Sequence, residues 1–98
     1  MERSYTDNEE YKEGYVVGMV NGEKDANVIV TPYPHTNDGS EFYQLGYMNG
    51  YFMRYAQGLS AILKQNPNKE TTEIIAIRLE EISESMKLEN EKINGSTK

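Results

Sequence analysis

The acidic residues of this 98-residue chain gather in two stretches, with one histidine between them. Glu9, Glu10, Glu13 and Glu23 lie in the first stretch, Glu80, Glu81 and Glu84 in the second, and His35 stands alone. Carboxylates run acid–base chemistry when burial beside one another splits their pKa values. At helical spacing in polar surroundings, these read instead as solvated faces. A zinc or di-iron site needs several His, Cys or carboxylate ligands at matched spacing, and the chain has one His and no Cys. There is no nucleophile elbow, Walker loop or dinucleotide fingerprint. No catalytic residue, metal site or cofactor is expected, and His35 reads as a surface loop residue.

Tyrosine offers more. The chain has eight, against two Phe and no Trp. Tyr43, Tyr47, Tyr51 and Tyr55 recur every fourth residue, with Arg54 beside the last. Such a row either fills a small core or forms a patch that binds a partner, ring covered and hydroxyl wet. With Arg54 it can also hold a nucleotide by stacking and charge. The expected contact residues are therefore Tyr43, Tyr47, Tyr51, Tyr55 and Arg54, with Glu9, Glu10 and Glu13 as an electrostatic face.

These side chains belong to a motif that occurs twice, 32 residues apart. Tyr11-Lys12-Glu13-Gly14-Tyr15-Val16-Val17-Gly18 returns as Tyr43-Gln44-Leu45-Gly46-Tyr47-Met48-Asn49-Gly50. Glycines four apart leave a stripe without side chains along one helix face, against which another backbone fits. Gly14, Gly18 and Gly22 form one stripe, and Gly46 and Gly50 a second. Each glycine costs a helix about 1 kcal/mol relative to Ala, so three in one helix call for close packing in return. The rival reading, a broken helix with glycine turns, is opposed by Tyr11, Tyr15 and Met19, which keep helical spacing.

The first helix is predicted from Asn8 to about Lys24, capped at Thr6 or Asp7 through the pairs Thr6-x-x-Glu9 and Asp7-x-x-Glu10. Residues 27–39 form a long connector. Within it Val28-Ile29-Val30 is a short strand or an extended plug, Pro32-Tyr33-Pro34 is extended, and Asn37-Asp38-Gly39 is a turn. The second helix starts after Asp38 or Ser40, with Leu45, Met48, Phe52, Tyr55, Leu59 and Ile62 as a heptad seam. Pro67 opens a third helix capped by Asn66. Its seam is Ile75, Leu79, Ile82 and Met86, widened by Ile74 and Ile77, interrupted at Glu89 and resumed at Ile93. Gly95 ends it. The expected fold is all-α: a Gly-mediated antiparallel helical hairpin over residues 1–66 with a Pro-Tyr loop, plus an amphipathic helix and tail over 67–98. Together they form one small bundle.

The repeat resembles the ribosome modulation factor family and its small phage-encoded relatives. The resemblance rests on Gly14-Tyr15-x-x-Gly18-x-x-x-Gly22, then Pro32-Tyr33, then Tyr43-x-x-Gly46-Tyr47, over about residues 10–56. It implies two helices clasped through glycines with the Pro-Tyr loop tucked against them, and a ribosome-associated role in stationary phase. The family protein is small and basic, whereas this chain carries a net charge of −6. Residues 67–98 are additional, and Tyr stands where Trp is usual.

An acidic surface repels phosphate backbones, so nucleic acid is disfavoured as a partner. No apolar run approaches a membrane span, and the polar N-terminus is not a signal peptide. A cytoplasmic setting, in a bacterium or a phage-infected host cell, is expected. The expected function is a small acidic binding protein that blocks a protein partner, as phage-encoded anti-defence inhibitors do. It would self-associate through the second and third helices. Ribosome association and a nucleotide sponge are the alternatives.

Overall fold

The computed structural model describes the backbone over residues 5–96 and side chains over 6–91. A short 3-10 turn, Tyr5–Asp7, precedes three α-helices: α1 (Glu9–Asn27), α2 (Glu41–Gln65) and α3 (Lys69–Ser96). No strand forms among the described residues, and the all-α bundle built on a Gly-mediated helix pair is as expected.

The direction of that pair is not. Gly14, Gly18 and Gly22 lie against the backbones of Tyr43, Tyr47 and Tyr51 in turn, so residue numbers rise together and α1 and α2 run parallel. The antiparallel hairpin is therefore corrected to a parallel clasp. Gly46 and Gly50 return the contact, lying against the carbonyls of Tyr11 and Tyr15. Each glycine of one motif thus meets the tyrosine backbone at the corresponding place in the other. The 32-residue repeat is the sequence image of an approximate two-fold axis running between the helices. A Cβ placed on Gly14 or Gly18 would stand 2.0 Å from a tyrosine carbonyl oxygen, and on Gly46 or Gly50 2.1 Å. Backbones this close make Cα–H···O=C contacts that any side chain would break. Small-residue stripes join parallel helices in membranes by the same means.

Parallel helices need a long return. α1 is about 28 Å long at 1.5 Å per residue, and residues 28–40 can span about 40 Å when extended. The connector uses that reach to run back along α2. Its residues meet α2 in reverse order, Val30 at Tyr55 and Tyr33 at Tyr51. Its length, unusual for a helix–helix connection, follows from this geometry.

The helix ends show which residues set the boundaries. Asn8, not Thr6 or Asp7, caps α1: its Oδ1 accepts from the amides of Glu10 (2.8 Å) and Tyr11 (3.2 Å). Thr6 and Asp7 are taken up in the preceding turn. Asn8→Ala is predicted to cost about 1 kcal/mol, measured as a lower denaturation midpoint with an unchanged slope. Ser40 caps α2, its Oγ accepting from the Tyr43 amide at 3.2 Å. The preceding turn needs a glycine at Gly39, which has φ +71°. Asn68, not Asn66, caps α3, accepting from the Thr71 amide at 2.8 Å, so Pro67 precedes the cap rather than opening the helix. α3 continues through Gly95 to Ser96, so Gly95 does not stop it. Met1 to Ser4, Thr97 and Lys98 lie outside the described residues, as does the Ile93 side chain.

α1 ends in a Schellman turn, with the Ile29 amide bonded to the Ala26 carbonyl (3.0 Å) and the Val30 amide to that of Asp25 (3.3 Å). The left-handed position is filled by Ile29 at φ +53°, where glycine is usual. A β-branched residue there costs about 1–2 kcal/mol. Two contacts offset it: the side chain packs on the core, and the carbonyl accepts from Arg78 Nε of α3 at 2.9 Å. Val28-Ile29-Val30 is thus neither strand nor full plug, since Val28 and Val30 are exposed and only Ile29 turns inward.

α3 folds back antiparallel on α2, so that Met86 comes to lie beside Met48 and Phe52. The core is Ala26, Met48, Tyr51, Phe52, Tyr55, Leu59, Ile75 and Ile82, with Leu45, Ile62 and Leu79 partly buried around it. The predicted seams of the second and third helices therefore face each other. Their buried residues are engaged within the monomer. Met86, Ile74 and Ile77 are exposed, so the buried seam of α3 is narrower than expected.

Candidate functional site

The α2 tyrosines divide by depth. Tyr51 and Tyr55 have no exposed surface. Their rings stack at 5.5 Å and 13°, and Tyr47 stacks on Tyr51 at 6.3 Å and 24°. Spacing of four places these rings one above another on a helix face. The hydroxyls reach past the core to hold the connector. Tyr51 Oη donates to Asp25 Oδ2 (2.5 Å) and accepts from the Tyr33 amide (3.1 Å), while Tyr55 Oη donates to the Val30 carbonyl (2.5 Å). Phenylalanine would fill the same space but make none of these bonds. Tyr51 and Tyr55, expected as partner contacts, are therefore internal staples, and their mutual stacking leaves no slot for a nucleotide base.

Burial sets their acidity. It pushes the Tyr55 hydroxyl up to about 12, against the lowering influence of Arg78. Burial and then the Asp25 hydrogen bond raise Tyr51 further, and burial raises Tyr47, whose hydrogen bond to Asn21 acts in the opposite sense. Tyr15, at the place in the first motif that Tyr47 holds in the second, donates from Oη to Met53 Sδ at 3.2 Å, and Met53 stands 32 residues after Asn21. Tyr11 accepts from Asn49 Nδ2 at 3.0 Å. Tyr43 is half-buried.

Arg54 is not aimed at an aromatic surface. It spans the two helices to Glu23 (3.1 Å) and touches Gln57 (3.2 Å). Glu9 lies 3.7 Å from Lys12, and Glu9, Glu10 and Glu13 are exposed on α1. Among the described residues no group of three His, Cys, Asp or Glu could hold a metal ion. No helix among them is long and apolar enough to cross a membrane.

What the structure does assemble is a cleft where the connector, α2 and α3 meet. It comprises two adjoining hollows of about 130 and 210 Å³ that share Leu45, Met48 and Glu89. Phe52 and Met86 extend the apolar floor. His35, Gln44, Asn49, Glu89 and Asn90 make a polar rim. The cause is legible in α3: Ile75, Leu79, Ile82 and Met86 keep the seam, then Glu89 takes the next apolar place and the two helices cannot close. His35, set edge-on to Tyr33 at 5.5 Å, is carried to the rim by the returning connector. Sequence spacing marks the Glu89 interruption but carries no signal that His35 and Glu89 come together, nor that Asp25, Asn49, Met53 and Arg78 are anchors.

No protein family, no curated protein and no solved structure matches the chain.

Proposed function

We propose that this protein is a non-enzymatic acidic binding module that seats a basic, apolar-stemmed side chain of a protein partner in the α2–α3 cleft. It would act by covering the partner's surface, as small phage-encoded inhibitors of host machinery do. The observation that carries the reading is the cleft itself: a thioether and aromatic floor beneath a rim holding Glu89. Such a site suits the alkyl stem of Lys or Arg, with the charged head at the rim. The net charge of −6 favours approach of a basic partner and predicts weaker association at higher salt.

The test is quantitative capture by immobilised wild-type protein and by Met86→Lys/Glu89→Lys, which puts a cation at the edge of the floor and reverses the charge of Glu89 at the rim, with circular dichroism confirming that the variant is folded. A partner retained by the wild type and lost by the variant supports the reading. Equal retention by both places the contact elsewhere.

A further inference from the structure

Among the described residues, α1 is covered chiefly along one face. Its glycine stripe lies on α2. Opposite it stand Val16 and Val20, with Val17 at their flank, exposed at 59%, 52% and 39%. α3 packs on α2 rather than on α1. β-branched residues at open helix positions lower helix propensity, in a helix that already carries three glycines. The glycines are compensated by the clasp with α2. Among the described residues the valines stay exposed, with Val16 bordering a shallow hollow beside Thr6 of the N-terminal turn.

The charges around the valines are self-complementary in one orientation. Glu13 lies one turn before Val16 and Lys24 one turn after Val20. Neither enters an ion pair among the described residues. When a second α1 is laid antiparallel with Val17 opposite Val20, each Glu13 meets the Lys24 of the other copy, twice by symmetry. Glu9 and Glu10 then come to Val28 and Asn27, so no acid opposes an acid. A parallel arrangement would instead set Glu13 against Glu13.

We infer that the valine face of α1 is a two-fold interface with a second copy of this chain, antiparallel about the Val17–Val20 midpoint and locked in register by Glu13–Lys24 pairs. A C2 contact of this kind uses the same patch on both copies. The apolar patch is small, so association is weak, in the micromolar range, and concentration-dependent. The inference does not depend on the cleft, which lies on the far side of α2 between the connector and α3 and stays open in the dimer.

Sedimentation equilibrium of the full chain across micromolar to millimolar concentration tests it, with circular dichroism confirming that each variant is folded. The wild type is expected to pass from monomer to dimer mass. Val16→Asp/Val20→Asp should stay monomeric. Glu13→Lys or Lys24→Glu alone should each weaken the dimer by about tenfold, and the two together should restore it. A wild type that stays monomeric throughout would overturn the inference. So would a dimer unmoved by the two aspartates, or charge reversals whose effects simply add without rescue.

Discussion

Gly18→Ala will cost this protein more stability than any other single methyl group added to it. The new Cβ would stand 2.0 Å from the Tyr47 carbonyl oxygen and 2.7 Å from its carbon, both backbone atoms that cannot turn aside. α1 and α2 must separate along their whole shared length, loosening the contacts of the neighbouring glycines as well. Overpacking normally costs about 1–3 kcal/mol where side chains can yield. With backbone on both sides we expect about 3–5 kcal/mol, a large part of the roughly 5–15 kcal/mol that holds a domain folded. Gly58→Ala is the internal control. There the close neighbour is the Ala26 Cβ, at 2.7 Å, a buried atom with no rotamer to turn aside, so the helices must still shift, but a side-chain methyl rather than a backbone carbonyl is met and the helix gains about 1 kcal/mol of propensity in return. Urea unfolding followed by far-ultraviolet circular dichroism should show a severe loss for Gly18→Ala and a clearly smaller loss for Gly58→Ala.

The second large effect is alkaline unfolding. Tyr51 and Tyr55 are buried as neutral phenols, and their hydroxyls carry the connector. Below pH 10 they are protonated in both folded and unfolded chains, so their contribution is complete. Above it the unfolded chain releases protons that the folded chain keeps. Stability therefore falls as pH rises, until the folded-state value, about 12 for Tyr55, is passed. Each such tyrosine removes about 1.4 kcal/mol per pH unit in that window. With two fully buried rings and Tyr47 raised as well, base should unfold the protein between about pH 10 and 12. Tyr55→Phe should flatten the pH dependence by one proton. It should also be less stable at neutral pH by about 1–2 kcal/mol, because the Val30 carbonyl loses its donor. An unfolding midpoint independent of pH from 9 to 12 would show that these hydroxyls are not buried as described.

Much of this fold is legible in individual residues. Gly14, Gly18, Gly46 and Gly50 announce a close helix pair because no other use of so many helical glycines is stable. Ser40 and the Gly39 turn locate the start of α2. Direction was harder, since a Gly-x-x-x-Gly stripe presents the same notches whichever way its partner runs. Two features did bear on it: a connector long enough to return the full length of α1, and tyrosines that keep the same offset from the glycines in both motifs, as a parallel two-fold pair requires. The shifts from Thr6 to Asn8 and from Asn66 to Asn68 reflect competition between adjacent capping residues, decided by which side chain reaches free amides. The tyrosines could not be sorted by spacing alone. Tyr51 and Tyr55 are internal because their hydroxyls find the connector and Asp25, partners 25 and 26 residues away in sequence. The cleft was half visible, in the carboxylate that breaks the α3 seam. Its other half arrives with the connector.

The parallel clasp is the claim on which the rest depends, and the chain is small enough for its interhelical proton contacts to be observed by nuclear magnetic resonance. Nuclear Overhauser effects between α protons should pair Gly14 with Tyr43, Gly18 with Tyr47 and Gly22 with Tyr51, both numbers rising together. Reciprocal effects should join Gly46 to Tyr11 and Gly50 to Tyr15. A set in which α2 numbers fall as α1 numbers rise, or no α-proton contacts between these helices, would contradict the account.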